Sequence, residues 1–216
     1  MNKLIPVFRD TILDTSLSDA LADLAEVGID AVLDFEPFKS IPIVSTLVGY
    51  AQAAQNIRER NLLIQTAEFF DAFKKGSIDD EALSEYRIKL QADPRRAEKE
   101  LGRVIVLLDR STESVKSRVL GRLYRSFVFG RLSWEDFFEL TDAVDRAFVI
   151  DFSYLTRVFD GEVTDTSGEN GYRAERLYAL GLISRTMMRM TGEHTLYYVS
   201  TTRFGGDLVR YGLREA

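Results

Sequence analysis

Cysteine is absent from this 216-residue chain. Its absence excludes disulfides, thiol catalysis and Cys-ligated zinc, and it is compatible with a reducing compartment. Histidine is nearly absent: the one example, His194, falls in TGEH (191–194), a stretch that reads as a hairpin turn. One turn histidine builds neither a Ser–His pair nor a His-based metal site. The chain also lacks a GxxxxGKS or GxxxxGKT phosphate loop, and no GxGxxG follows a strand. Carboxylates are plentiful, but pairs such as Asp79–Asp80 and Glu135–Asp136 fall in predicted first helical turns. There the helix dipole accounts for them without catalysis. The chain is therefore read as non-enzymatic, with no catalytic residue, no metal site and no cofactor. The opening MNKLIPVFRD lacks the apolar core of a signal peptide, so a cytoplasmic location is expected.

What is present is ordinary for a globular protein: 45% hydrophobic and 29% charged residues, with a net charge of −6. That balance disfavours non-specific nucleic-acid binding by the whole chain and leaves a local basic patch open. With only four prolines, the chain reads as mainly α: a multi-helix body over 1–160, an acidic linker over 161–170, and a small winged-helix-like α+β module over 171–216.

The spacing predicts one long helix over 42–73, closed by Gly76 and opened by Pro42 at its first position. Ile43, Leu47, Tyr50, Ala54 and Ile57 advance in steps of four and three, which places them on one buried face. A second apolar stripe follows at Leu62, Thr66, Phe69 and Phe73. A rod of about 30 residues would be roughly 45 Å long. The uncharged run 40–57 raises a membrane span. Its polar residues Ser45, Thr46, Gln52, Gln55 and Asn56, followed by Arg58, Glu59 and Arg60, argue for a buried core helix instead.

Residues 1–15 read as a lead-in. A helix capped by Ser16 or Ser18 is expected to about Leu33, then a turn plugged by Phe35 and Phe38. After Gly76, Ser77 or Asp79 should cap a helix that stops before Pro94. The next helix spans about 95–109, Ser111 caps one ending near Gly130, and Ser133 caps one running towards Phe159 with a bend around Asp151. The stretch 160–170, DGEVTDTSGEN, reads as an exposed linker. Beyond it come a helix ending at Gly181, a strand pair around the 191–194 turn, and a last helix opened by Thr capping.

The tail AERLYALGLISR…TLYYVSTTRFGGDLVRYG resembles the end of a winged-helix domain, over about 45 residues. The resemblance implies a recognition helix, a two-stranded wing and a final helix, although the acidic linker leaves little room for the usual preceding helix. The whole chain is similar to a group of uncharacterised bacterial proteins. IPIVSTLVG with the following IRER, then LLDR, GRLSWEDF and LYALGLI carry that similarity. It implies a helical body plus wing and no particular chemistry.

From 171 to 216 there are seven Arg against four acids, a balance of +3, so the other 170 residues carry −9. Such asymmetry suits a phosphate-binding face. Tyr172, Arg173 and Arg176 are expected on the exposed side of the recognition helix, with Arg185, Arg189 and Arg203 flanking it. These six are the candidate nucleic-acid-binding residues. The leading expectation is nevertheless a protein-interaction or assembly module whose wing meets a protein partner or a second copy. DNA-binding regulation through the Arg-rich tail is the alternative. A third is a membrane-acting effector that uses the long helix.

Overall fold

A computed structural model describes residues 4–14, 41–54, 57–75, 79–167, 171–191 and 194–214. The chain is mainly helical with a small α+β tail. It divides into two compact units, Met1–Leu132 and Ser133–Ala216. The sequence pattern places a boundary at 161–170; the division instead falls just before Ser133, so two further helices join the tail. The helix predicted from Ser16 or Ser18, the Phe35 and Phe38 plugs and Gly76 lie outside the described residues. Among the described residues, no helix is long and apolar enough to cross a membrane, and no group of three or more His, Cys, Asp or Glu is placed to hold a metal ion.

In the first unit, residues predicted as a lead-in form helix α1 (Leu4–Leu13), which buries Phe8, Thr11 and Ile12. An apolar, amphipathic segment with a core to cover it folds as helix even at a chain end. The single rod predicted over 42–73 is two helices, α2 (Pro42–Ala54) and α3 (Ile57–Lys74), which pack against one another. One straight rod could not do that. Side-by-side packing buries Ile43 and Leu47 of α2 and Thr66, Phe69 and Phe73 of α3. Ile43 and Leu47 are buried as expected, but Ile57 is 86% exposed. The side chains of Tyr50 and Ala54 lie outside those described.

Helix α3 is the centre of this unit. Leu63, Thr66, Ala67, Phe69, Phe70 and Phe73 are all buried. A helix covered on most of its circumference is a core helix. It packs against α2, α5 (Pro94–Arg110) and α6 (Ser114–Val128) and meets α1 through Phe8, while α4 (Asp80–Ala92) packs on α5 and α6. Asp79 accepts from the Ala82 amide and Asp93 from the Arg96 amide, each at 3.0 Å, and Pro94 opens α5. Ser111 does not cap α6: it ends α5, and Glu113 precedes α6 without a side-chain cap.

Helices α3 and α6 come closest at Gly121, where a Cβ would overlap the Phe69 carbonyl. Aromatic rings fill the space around that crossing. Phe69 and Tyr124 centroids are 5.8 Å apart, and Phe8 and Phe70 4.9 Å. Two buried phenols meet there at 2.5 Å, Tyr86 with Tyr124, and Tyr86 donates to Glu100 at 3.2 Å. Burial pushes both phenols well above their usual range. Lys74 closes α1: its buried ammonium donates to the Ile12 and Asp14 carbonyls at 2.8 and 2.7 Å. Unpaired carbonyls at a helix end favour such a cation.

The second unit opens with α7 (Trp134–Arg146), started by a capping box of Ser133 and Asp136. The predicted run to Phe159 is broken at Ala147, whose extended backbone separates α7 from α8 (Ile150–Phe159). No Gly or Pro marks the break; it places Asp151 in the first turn of α8, where a helix dipole favours an anion. Helix α9 (Gly171–Ala179) leads into β1 (Ile183–Thr191), antiparallel to β2 (His194–Thr201), with Ile183 opposite Thr201 and Met187 opposite Tyr197.

Part of the predicted linker pairs with β2. The Val199 amide donates to Thr164 at 2.9 Å, the Thr166 amide donates to Tyr197 at 3.0 Å, and Asp165 bridges to Tyr198. Alternating backbone groups along β2 need partners on that edge, and Thr164 to Thr166 supply them. Thr202 caps α10 (Arg203–Leu208), which widens into a π turn at Val209–Leu213. Gly205 is required here: a Cβ would overlap the Leu182 carbonyl.

Candidate functional site

The six candidate residues fall on α9, the hairpin and α10. Leu177 is buried, as its spacing predicts, and Ala174 beside it faces the same way. The opposite edge of α9 carries Tyr172, Arg173 and Arg176. These were expected to point freely into solvent, and only Tyr172 does, at 54% exposure.

Arg176 reaches the carboxylate of Asp151, which is 1% exposed. Its Nε donates to Oδ2 at 2.7 Å and its Nη2 to Oδ1 at 2.5 Å. This is the planar two-point fit of guanidinium to carboxylate. Hydrogen bonding to Asp151 holds the Arg176 guanidinium above its ordinary pKa. Arg173 adds a second cation: its Nε is 4.0 Å from Asp151 Oδ1, and its Nη1 donates to the Ile150 carbonyl at 3.3 Å. The Arg176 guanidinium also lies between two rings, 4.8 Å from the centroid of Phe148 and 4.8 Å from that of Tyr172. Phe148 and Ile150 are each 59% exposed. A buried carboxylate, paired with a partly exposed guanidinium, thus sits beside exposed apolar side chains.

The other candidates are also paired. Arg185 donates to both Glu175 carboxylate oxygens and lies 4.1 Å from the Tyr178 ring and 4.8 Å from that of Tyr197. It therefore ties β1 to α9. Arg203 is the most open, at 80%, with Asp136 at 3.5 Å and Asp207 at 3.4 Å. The side chain of Arg189 lies outside those described. Arg173 and Arg176 come together on one carboxylate; Arg185 and Arg203 belong to separate groupings.

Sequence reasoning missed Phe148, Ile150 and Asp151. The signal for Asp151 was available: it is the lone charge in AFVIDFSYL. A charge in such a run needs a partner if it is buried. Nothing in the local pattern marks Phe148 and Ile150 as exposed. No family model, curated protein or solved structure matches the chain.

Proposed function

We propose that the C-terminal unit is a non-enzymatic protein-interaction module, and that its contact surface is the rim of Phe148, Ile150 and Tyr172 around Arg176. The observation that carries this reading is the use of the tail's arginines. A phosphate-binding face needs guanidiniums free to neutralise phosphates. Arg176 instead spends its two-point geometry on Asp151, and Arg185 donates from its single Nη1 to both Glu175 oxygens. The neighbouring large apolar side chains stay open to solvent. Contiguous exposed apolar groups with a polar border mark interaction sites, and aromatic residues and Arg are enriched in them.

The order helix, two-stranded hairpin and final helical turn supports the winged-helix resemblance. A wing serves protein docking as readily as DNA binding, because fold alone does not decide function. The second reading, DNA binding, is favoured by the +3 balance of 171–216 and by the openness of Arg203.

The two readings part in one titration: retention of random-sequence duplex DNA by the full chain as salt is lowered. The interaction reading expects no retention. Retention that falls steeply with salt and weakens with Arg203→Ala would overturn it, since each lost phosphate contact lowers the salt slope by about one. Sedimentation velocity across concentration then tells a second copy from a different partner.

A further inference from the structure

We propose that the rim around Arg176 takes an acidic peptide segment on a partner protein, one in which a carboxylate lies next to an aliphatic or aromatic side chain. The proposal rests on the interaction reading and specifies the partner's chemistry.

The chemistry follows from how Arg176 is held. Asp151 takes Nε and Nη2, and the Nη1 end of the fork meets no carboxylate among the described residues. The side chain as a whole keeps 34% of its surface exposed. Its position is set before any partner arrives, by the buried carboxylate and by the nearby rings of Phe148 and Tyr172. Pre-ordering a long side chain lowers the entropy lost on binding. Arg173 and Arg176 against Asp151 leave one positive charge, which calls for an anion. Desolvation by the flanking rings strengthens its attraction for that anion.

The anion's setting follows from the rim. Phe148, Ile150 and Tyr172 expose apolar surface on both sides of the cation. A bare phosphate backbone would leave that surface uncovered. A peptide carboxylate beside an apolar side chain satisfies the guanidinium and covers the rings together. Charged hydrogen bonds at the centre of a desolvated rim are the arrangement found at binding hot spots.

The test is selection of a random dodecapeptide library, displayed on phage, against the immobilised full-length chain, with parallel selection on Phe148→Ala and Tyr172→Ala. Both rings are more than half exposed, so these variants keep the fold. The expected result is enrichment of Asp or Glu adjacent to an aliphatic or aromatic residue, and at least tenfold weaker binding of the selected peptides to either variant. Replacing the acid of a selected peptide by its amide should cost a similar factor. Selected sequences without an acid, equal binding to the variants, no enrichment, or displacement of the peptide by an equal charge of duplex DNA would each overturn the proposal. Cross-linking from position 150 in cells separates this failure from failure of the interaction reading: a protein adduct there, with no acidic peptide selected, sinks only the peptide chemistry.

Discussion

Arg176 and Asp151 form a two-point ion pair in which the carboxylate is buried and the guanidinium lies between two aromatic rings. Removing the cation strands the charge of Asp151 in a site closed to water, which is costly. Arg176→Ala should lower the melting temperature of the second unit clearly. Arg203→Ala, at a side chain 80% exposed, should leave it nearly unchanged. Thermal unfolding followed by circular dichroism distinguishes them; equal melts for both variants would show that the pair contributes nothing.

Two glycines of the first unit should respond in opposite directions to the same substitution. Gly121→Ala forces α6 away from the Phe69 carbonyl and should destabilise by about 1–3 kcal/mol. Gly102, in α5, has only the Ile5 side chain at 3.8 Å from a Cβ. Gly102→Ala should therefore stabilise, by up to about 1 kcal/mol, through helix propensity. Urea titration measures both.

Lys74 makes the first unit sensitive to alkaline pH. Burial lowers its ammonium from the ordinary 10.5 to about 8, opposed by nearby Asp14. Between those two values the unfolded chain holds a proton that the folded chain has released. Stability therefore rises with pH across that window, and below it the full cost of burying the charge is present. Relative to Lys74→Met, the natural chain should gain stability from about pH 7 to about pH 10, by roughly 3 kcal/mol at most. Urea titrations at the two ends check this. A constant difference between the two proteins would show that Lys74 titrates normally.

The folding back of α2 against α3 is tested at two positions of one sequence stripe. Leu47→Ala should cost roughly 2–5 kcal/mol, since Leu47 is 2% exposed. Ile57→Ala should change stability by less than about 0.5 kcal/mol. A single straight rod with the stripe buried throughout would make both costly.

Helix identity was legible wherever a cap or a period marked it. Asp79, Ser133 and Thr202 are caps that the side-chain chemistry announces, and Ile43 and Leu47 are buried where the four-three spacing puts them. The breaks were harder to read. Ala147 ends α7 with no Gly or Pro nearby, because the burial of Asp151 under Arg176 is a tertiary demand that no local pattern carries. Ile57 continues the stripe in sequence yet faces solvent, because periodicity cannot tell one rod from two packed helices. Among the candidate residues, charge and residue type singled out Arg173, Arg176 and Arg185, of which the first two meet on one carboxylate. They could not reveal that Asp151 and Glu175 were already their partners.

The central claim is that the rim around Arg176 meets a protein. Its most direct measurement is photo-cross-linking in cells that naturally make the chain, with a photoreactive phenylalanine at position 150 and a control at position 153, which is also exposed. The account predicts a discrete, protease-sensitive adduct from position 150 that is lost in Tyr172→Ala and absent from position 153. A nuclease-sensitive adduct, or none at position 150 beyond that of the control, would contradict it.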